Sequence, residues 1–153
     1  MIPERPPFDP GDRYRDAARA YVVYGIVLEL GGLWLELHGV GARGSMVARG
    51  IGFLVMGLVF LVGIPYVLLH RRVWFERWIL SRRDFARVVA AFMAYRAYRV
   101  LGVVLAPETA SVAAPWGGEI TYRVGAAVFF LVTIVALLFV AIAAWTADQK
   151  AID

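Results

Sequence analysis

Residues 86–106 read ARVVAAFMAYRAYRVLGVVLA, and this stretch decides how often the chain crosses a membrane. It has the length of a membrane-spanning helix, but Arg96 and Arg99 lie in its interior. Each arginine near a helix centre costs about 2.5–3.5 kcal/mol on insertion, whereas each Leu, Val or Phe returns only about 0.3–0.6 kcal/mol. Eight such apolar residues do not clearly offset two arginines. The segment therefore inserts well only beside a helix that carries acidic partners.

Acidic residues of this kind interrupt the apolar stretch 18–39. Glu29 and Glu36 lie seven residues apart and therefore share one helix face. Gly25 and Gly32 extend the same stripe, and together with Gly57 in the next apolar stretch we predict them to be helix-packing glycines. Carboxylates at membrane depth are expensive, so they usually have a partner or a function.

The composition and the remaining apolar runs indicate a membrane protein. Hydrophobic residues make up 61% of the chain and its mean hydropathy is +0.67, which is too apolar for an ordinary soluble domain. Residues 50–69 contain no charge, and Thr133 is the only polar side chain between 124 and 145. We predict an all-α membrane protein, one integral domain over 1–153. Its four transmembrane helices are 18–39, 50–69, 86–106 and 124–145.

A basic, aromatic block separates the second and third predicted spans. Arginines alternate there with tryptophans, the composition of an amphipathic helix that lies in the headgroup plane. We predict an interfacial helix over about 71–85. Its lipid-headgroup contacts are Arg71, Arg72, Trp74, Trp78, Arg82 and Arg83.

The distribution of charge predicts the orientation of the chain. Arginines precede the first apolar stretch and follow the second, so both regions are expected in the cytoplasm, facing anionic lipids. Residues 107–122 hold two acids and no base, which is typical of an external loop. The N-terminus lacks the pattern of a signal peptide. We expect a multi-pass protein of the cell (inner) membrane with both termini cytoplasmic. In a three-span alternative, residues 86–106 lie on the surface.

The four-span arrangement predicts an intramembrane charge cluster. The first and third helices then run in the same direction, which brings Glu29 and Arg96 to matching depths and Glu36 and Arg99 nearer the outer side. Arginine can hold a carboxylate through two parallel hydrogen bonds. In one hypothesis the cluster is structural and fixes how the third helix packs against the first. In the other it is a path for a proton or ion, or a binding point for a headgroup or anion. Pairing of either charge with another subunit is a third possibility.

Several classes of function are disfavoured by the sequence. There is no cysteine, and His38 and His70 lie at opposite ends of their spans, so we predict no metal site and no cofactor. No catalytic motif is present, so we do not expect an enzyme, and no nucleic acid partner is expected. We predict a non-enzymatic accessory or assembly component, a homo-oligomer or a subunit of a larger membrane complex. The alternative is a small transporter or ion- or proton-conducting oligomer.

Overall fold

Helices dominate the computed structural model, which describes residues 10–38, 45–70, 73–107 and 110–146. The helical class predicted from sequence is confirmed, and a short two-stranded hairpin is added to it. The elements are α1 (Pro10–Leu37), α2 (Met46–Gly57), a π-helical segment (Leu58–Gly63), α3 (Ile64–Leu69), α4 (Val73–Trp78), α5 (Arg82–Val104), β1 (Ser111–Ala113), β2 (Glu119–Thr121) and α6 (Tyr122–Trp145).

Three helical stretches are long and apolar enough to cross a membrane. They are Asp12–Leu37, Val47–Leu69 and Tyr122–Trp145, with mean hydropathies of 1.5, 2.5 and 3.0. These stretches suggest a membrane location. The helix α5 is as long as its neighbours, with 23 residues, but its arginines keep it outside this group. The structure therefore supports three of the four predicted spans by composition.

The second span is continuous but not uniformly α-helical. Pro65 has no N–H to donate to the carbonyl of Leu61, and the sequence predicts a kink there. The structure instead widens the turn before the proline into the π-helical segment, and Ile64 donates its N–H to the carbonyl oxygen of Val59. A widened turn of this kind lets a helix tolerate a missing hydrogen bond without ending.

The core lies between α1, the second span, α5 and α6. Small residues dominate it on α5 and α6, so that these two helices approach closely. The buried aromatic residues, Tyr21, Tyr24 and Phe60, come from α1 and the second span. The largest fully buried side chains are Tyr21, Tyr24, Leu68, Met93, Thr133 and Val140. Outward faces carry many exposed Leu, Val and Ile side chains, an apolar surface far larger than a soluble monomer shows.

Arginine side chains join the ends of neighbouring helices. The Nε of Arg83 donates to the carbonyl oxygen of Ala144 at 3.2 Å, and Arg123 donates to the carbonyl oxygen of Ala106. The two ends of α5 are thus tied to opposite ends of α6, so the helices run antiparallel over the same length. Arg82 donates to the carbonyl oxygens of Leu68 and Leu69 at the end of α3.

The helix α5 begins with a side-chain cap. The backbone N–H of Asp84 donates to the Ser81 hydroxyl at 3.0 Å, and that hydroxyl donates to the Asp84 carboxylate at 2.6 Å. Arg87 donates to the other carboxylate oxygen at 2.9 Å. These contacts hold the pKa of Asp84 below its ordinary value, chiefly through Ser81 and then through Arg87 and Arg83.

The loop after α5 contains an antiparallel hairpin that the sequence did not predict. Ser111 pairs with Thr121, and the turn between the strands places Gly117 and Gly118 at φ of +94° and +82°, where glycine is favoured. The indole Nε1 of Trp34 donates to the carbonyl oxygen of Ala113 at 2.9 Å. This bond fastens the hairpin to the end of α1, and we call this side of the bundle the hairpin end.

The predicted interfacial helix over 71–85 is not found in that form. A six-residue helix, α4, ends at Trp78, and Arg82 already belongs to α5. Trp74 and Trp78 are exposed, as a headgroup contact requires. Arg82 and Arg83 instead bond helix carbonyls, because a helix C-terminus attracts a cation. Arg71 and Arg72 lie outside the described residues.

Candidate functional site

The four predicted charges do not form one cluster in the described part of the chain. Glu36 pairs with Arg49, with 3.3 Å between Oε1 and Nε and about a quarter of each side chain exposed. This ion pair joins the end of α1 to the start of α2 at the hairpin end. Arg49 lies in the glycine-rich run 39–50, which predicts a tight turn between the first two spans, so the sequence does not single it out as a partner of Glu36.

Glu29 lies against the second span rather than against α5. A Cβ atom at Gly57 would be 3.9 Å from the Glu29 carboxylate, an ordinary contact distance, so the carboxylate lies beside this glycine. Within the described residues, no ion pair is formed by Glu29. Glu29 is partly buried where α1 meets the second span.

The other two predicted packing glycines lie along the same interface. A Cβ atom at Gly25 would approach Leu61 Cδ2 to 2.9 Å, which no real side chain allows without movement. At Gly32 it would be 3.4 Å from the ring of Phe53. The stripe of glycines thus faces the second span, and it holds Glu29 on that side of α1.

Arg99 lies on the outer face of α5. Its guanidinium donates to the hydroxyl of Tyr95 at 3.4 Å, and both residues are exposed, as is Tyr98. In the described ranges Arg99 forms no ion pair. The structure therefore leaves this charge on the apolar exterior of the bundle.

Arg96 occupies a different environment although it is less than one turn away. The bonds at the two ends of α5 make Arg96 level with the middle of α6. Its Cζ lies 5.8 Å from the ring centroid of Phe129, and the residue is partly buried. Tyr24 contacts the same ring, with its centroid 5.7 Å from that of Phe129.

Tyrosines near the start of an apolar span are typical of the membrane surface, so the sequence predicts Tyr21 and Tyr24 there, whereas the structure buries both fully. Their ring centroids are 5.4 Å apart, and Tyr24 stacks on Phe129 at 5.7 Å. Both residues are 0% exposed. Burial arises because Ala17, Ala18, Tyr21 and Tyr24 follow helical spacing and form the inner face of α1. That spacing was the signal that sequence reasoning overlooked.

Three polar atoms in this region lack hydrogen-bond partners within the described residues. They are the two tyrosine hydroxyls and the Nε of Arg96. Buried polar groups are nearly always hydrogen-bonded, so three exceptions in one place are informative. We call Tyr21, Tyr24 and Arg96 the tyrosine–arginine cluster.

The histidines have local structural contacts at opposite ends of the bundle. Nδ1 of His38 donates to the carbonyl oxygen of Trp34 at 2.8 Å, and Nδ1 of His70 donates to that of Tyr66 at 3.2 Å. In each case the histidine follows the last helical turn and satisfies one of its carbonyl groups. Over the described ranges, no three or more His, Cys, Asp or Glu residues gather in a way that suits a metal ion.

Comparison of the chain with protein families, with curated proteins and with solved structures finds no match. The site must therefore be interpreted from its own geometry. Among the described residues, that geometry comprises the Glu36–Arg49 ion pair at the hairpin end, Glu29 without an ion pair between α1 and the second span, the exposed Arg99 and the tyrosine–arginine cluster.

Proposed function

We propose that the protein is a four-span integral membrane protein and a non-enzymatic assembly component of a membrane complex. The fourth crossing is α5. In support, hydrogen bonds tie its ends to opposite ends of α6, which is long and apolar enough to span. A helix fixed beside a span over the same length occupies the same depth range. The arginine-rich starts of α1 and α5 then lie in the cytoplasm, and the hairpin lies outside.

The observation that carries an assembly function is Arg99. On a crossing helix, an exposed guanidinium faces hydrocarbon, and such charges are rare unless they face protein or a water-filled cavity. Tyr95 provides only one long hydrogen bond at 3.4 Å. A neighbouring protein chain that supplies a carboxylate or several carbonyl groups would cover this face. The partner is a second copy or another subunit of the complex.

The number of crossings is testable because the native chain has no cysteine. We expect Ser111→Cys to react with a membrane-impermeant maleimide added outside intact cells. Ser45→Cys is the external control, and Asp12→Cys is the cytoplasmic control. Labelling of Ser111→Cys only after cell lysis would contradict the fourth crossing, since the three-span alternative leaves this loop in the cytoplasm.

The assembly function is tested by extraction into native nanodiscs, followed by measurement of particle mass. We expect a particle larger than one chain for the wild type and a smaller one for Arg99→Ala. Val103→Ala, at an exposed apolar position on the same helix, is the matched control and should behave as wild type. A wild-type particle that contains a single chain and no other protein would overturn the proposal.

A second candidate function is a small transporter or proton-conducting oligomer, and Glu29 favours it. An unpaired carboxylate between two helices at membrane depth can take up and release a proton. We expect Glu29→Gln to leave a stable protein with reduced proton flux in proteoliposomes. Equal flux for both proteins would exclude this candidate, and Glu36→Gln controls for loss of an ion-paired acid.

A further inference from the structure

A groove lies between α1 and α6 on the outer face of the bundle. Its volume is about 490 Å³, a size typical of clefts that bind small molecules. Ala136 is buried at its base, whereas Val23 and Val135 are more than half exposed at its edges. The other apolar residues that line it include Leu131, Val132 and Phe139. We call this feature the α1–α6 groove.

Both walls of the α1–α6 groove belong to helical stretches that are long and apolar enough to cross a membrane, Asp12–Leu37 and Tyr122–Trp145. In a membrane, the exposed edges of such a groove face lipid acyl chains. The residues that α6 contributes to the groove are all apolar. An acyl chain is narrow and flexible, and it buries apolar surface without leaving any polar group unsatisfied, so it suits these walls.

Asp16 and Arg19, both on α1, are the two charged residues of the groove. Nη1 of Arg19 lies 3.6 Å from Oδ1 of Asp16, beyond hydrogen-bonding distance, and the two side chains are 73% and 52% exposed. The guanidinium therefore keeps donors for a ligand, and the carboxylate keeps acceptors. Residues 20–28 carry no charge, so this pair marks the boundary between the charged start and the apolar part of α1.

A headgroup that satisfies both residues carries charges of both signs. A phosphate accepts hydrogen bonds from Arg19, and a primary ammonium donates hydrogen bonds to Asp16. A purely anionic headgroup would place its negative charge beside the Asp16 carboxylate, which is unfavourable. A choline headgroup has no N–H to donate. The pair of opposite charges therefore selects phosphatidylethanolamine among common phospholipids.

We propose that the α1–α6 groove binds one phosphatidylethanolamine molecule. An acyl chain lies along the apolar walls, the phosphate contacts Arg19 and the ammonium contacts Asp16. This site requires only that α1 and α6 lie in a membrane. It depends neither on a fourth crossing by α5 nor on the assembly function.

The test is native mass spectrometry of the full chain, delipidated in a neutral detergent and titrated with phospholipids that differ only in their headgroups. The probes are phosphatidylethanolamine, phosphatidylcholine and phosphatidylglycerol. We expect the wild type to bind the first phosphatidylethanolamine molecule about threefold to tenfold more tightly than the other two lipids, the range expected for exposed charged contacts. Equal affinities for the three lipids would overturn the proposal.

The two charges are tested separately. Arg19→Gln should weaken the binding of phosphatidylethanolamine by about threefold to tenfold. Asp16→Asn should remove the preference for phosphatidylethanolamine over phosphatidylglycerol, because it removes both the acceptor and the repulsion. The matched controls are Arg15→Gln and Asp12→Asn, which disrupt the other exposed ion pair at the same spacing on α1. Both controls should keep the wild-type affinities, and equal effects at the two pairs would overturn the assignment.

The apolar part of the site is tested by filling the groove. Val135→Trp should weaken the binding of all three lipids, whereas Val128→Trp should not. These valines are equally exposed on α6, and Val128 does not line the groove. Circular dichroism verifies that both variants fold, and Val135→Phe is the smaller replacement if Val135→Trp does not. A lower particle mass for Val135→Trp with unchanged lipid binding would show that a second copy occupies the groove, and would overturn the proposal.

Discussion

The helices α5 and α6 lie side by side over the same length, yet only α6 has the composition of a membrane span. The helix α6 carries one charge, Arg123, at its first turn, and its mean hydropathy of 3.0 is sufficient for insertion. The helix α5 carries Arg96 and Arg99 in its interior and is anchored through its neighbours. The composition of α6 alone predicts a span, whereas the position of α5 depends on its contacts with neighbouring helices.

The largest expected effect comes from making α5 resemble α6. Arg99→Leu replaces a residue that costs about 2.5–3.5 kcal/mol with one that returns about 0.3–0.6 kcal/mol, so insertion of the isolated segment should improve by about 3–4 kcal/mol. The inserted fraction of residues 82–106 in a reporter fusion measures this. The equivalent change on α6, Val128→Leu, should leave insertion unchanged. No gain for Arg99→Leu would mean that Arg99 does not limit insertion.

Close packing between α5 and α6 can be disrupted without changing charge. Ala90 is 2% exposed, whereas its neighbour Ala91 is exposed. Leucine at position 90 has no room, so Ala90→Leu should reduce the free energy of unfolding by about 1–3 kcal/mol. Thermal unfolding in detergent measures the loss. Ala91→Leu is the matched control, and equal Tm values for the two variants would argue against this packing.

The hydrogen bond from Arg83 on α5 to Ala144 on α6 makes a smaller contribution to the free energy of unfolding. Arg83→Gln removes the charged donor to the carbonyl oxygen of Ala144, with an expected loss of about 1 kcal/mol. Chemical denaturation in mixed micelles measures it. Arg77→Gln removes an exposed arginine of α4 as the control. An identical midpoint for Arg83→Gln and the wild type would show that the bond at 3.2 Å adds nothing measurable.

The smallest effect concerns the start of α5 and depends on pH. Because the pKa of Asp84 is lowered in the folded protein, its contribution to stability is present above the ordinary carboxyl pKa near 3.8. That contribution is lost as pH falls through the folded value. We therefore expect Asp84→Asn to flatten the acid limb of a Tm-versus-pH curve. Thr121 caps α6 without an acid, so Thr121→Ser should keep the wild-type shape.

The sequence predicts α6 more completely than it predicts the surroundings of α5. The uncharged run of α6 and the run before Leu69 specify their helices directly, because a long apolar stretch has few alternatives. Counting residues also leads to the prediction that Glu29 and Arg96 lie at matching depths. It does not predict that they lie apart, because the face of a helix that meets a partner depends on packing. In the structure Glu29 lies beside Gly57 of the second span.

The tyrosine–arginine cluster was the least accessible to sequence reasoning. Tyrosines near the start of a span are usually interfacial, so Tyr21 and Tyr24 were assigned to the surface. Their burial depends on which helices surround α1, and that is a property of the whole bundle. The hairpin was missed for a related reason, since strands of three residues such as β1 and β2 have almost no periodicity to detect.

The π-helical segment sets the angular phase of the second span. Phe60 and Leu68 are eight residues apart, so an uninterrupted α-helix would turn them about 80° away from each other around its axis. The widened turn takes up one additional residue and reduces that difference to about 20°. Both side chains consequently face the same direction and are buried, at 5% and 0% exposure. The π-helical segment thus corrects the rotation of the helix, so that the same face lies against the core on both sides of Pro65.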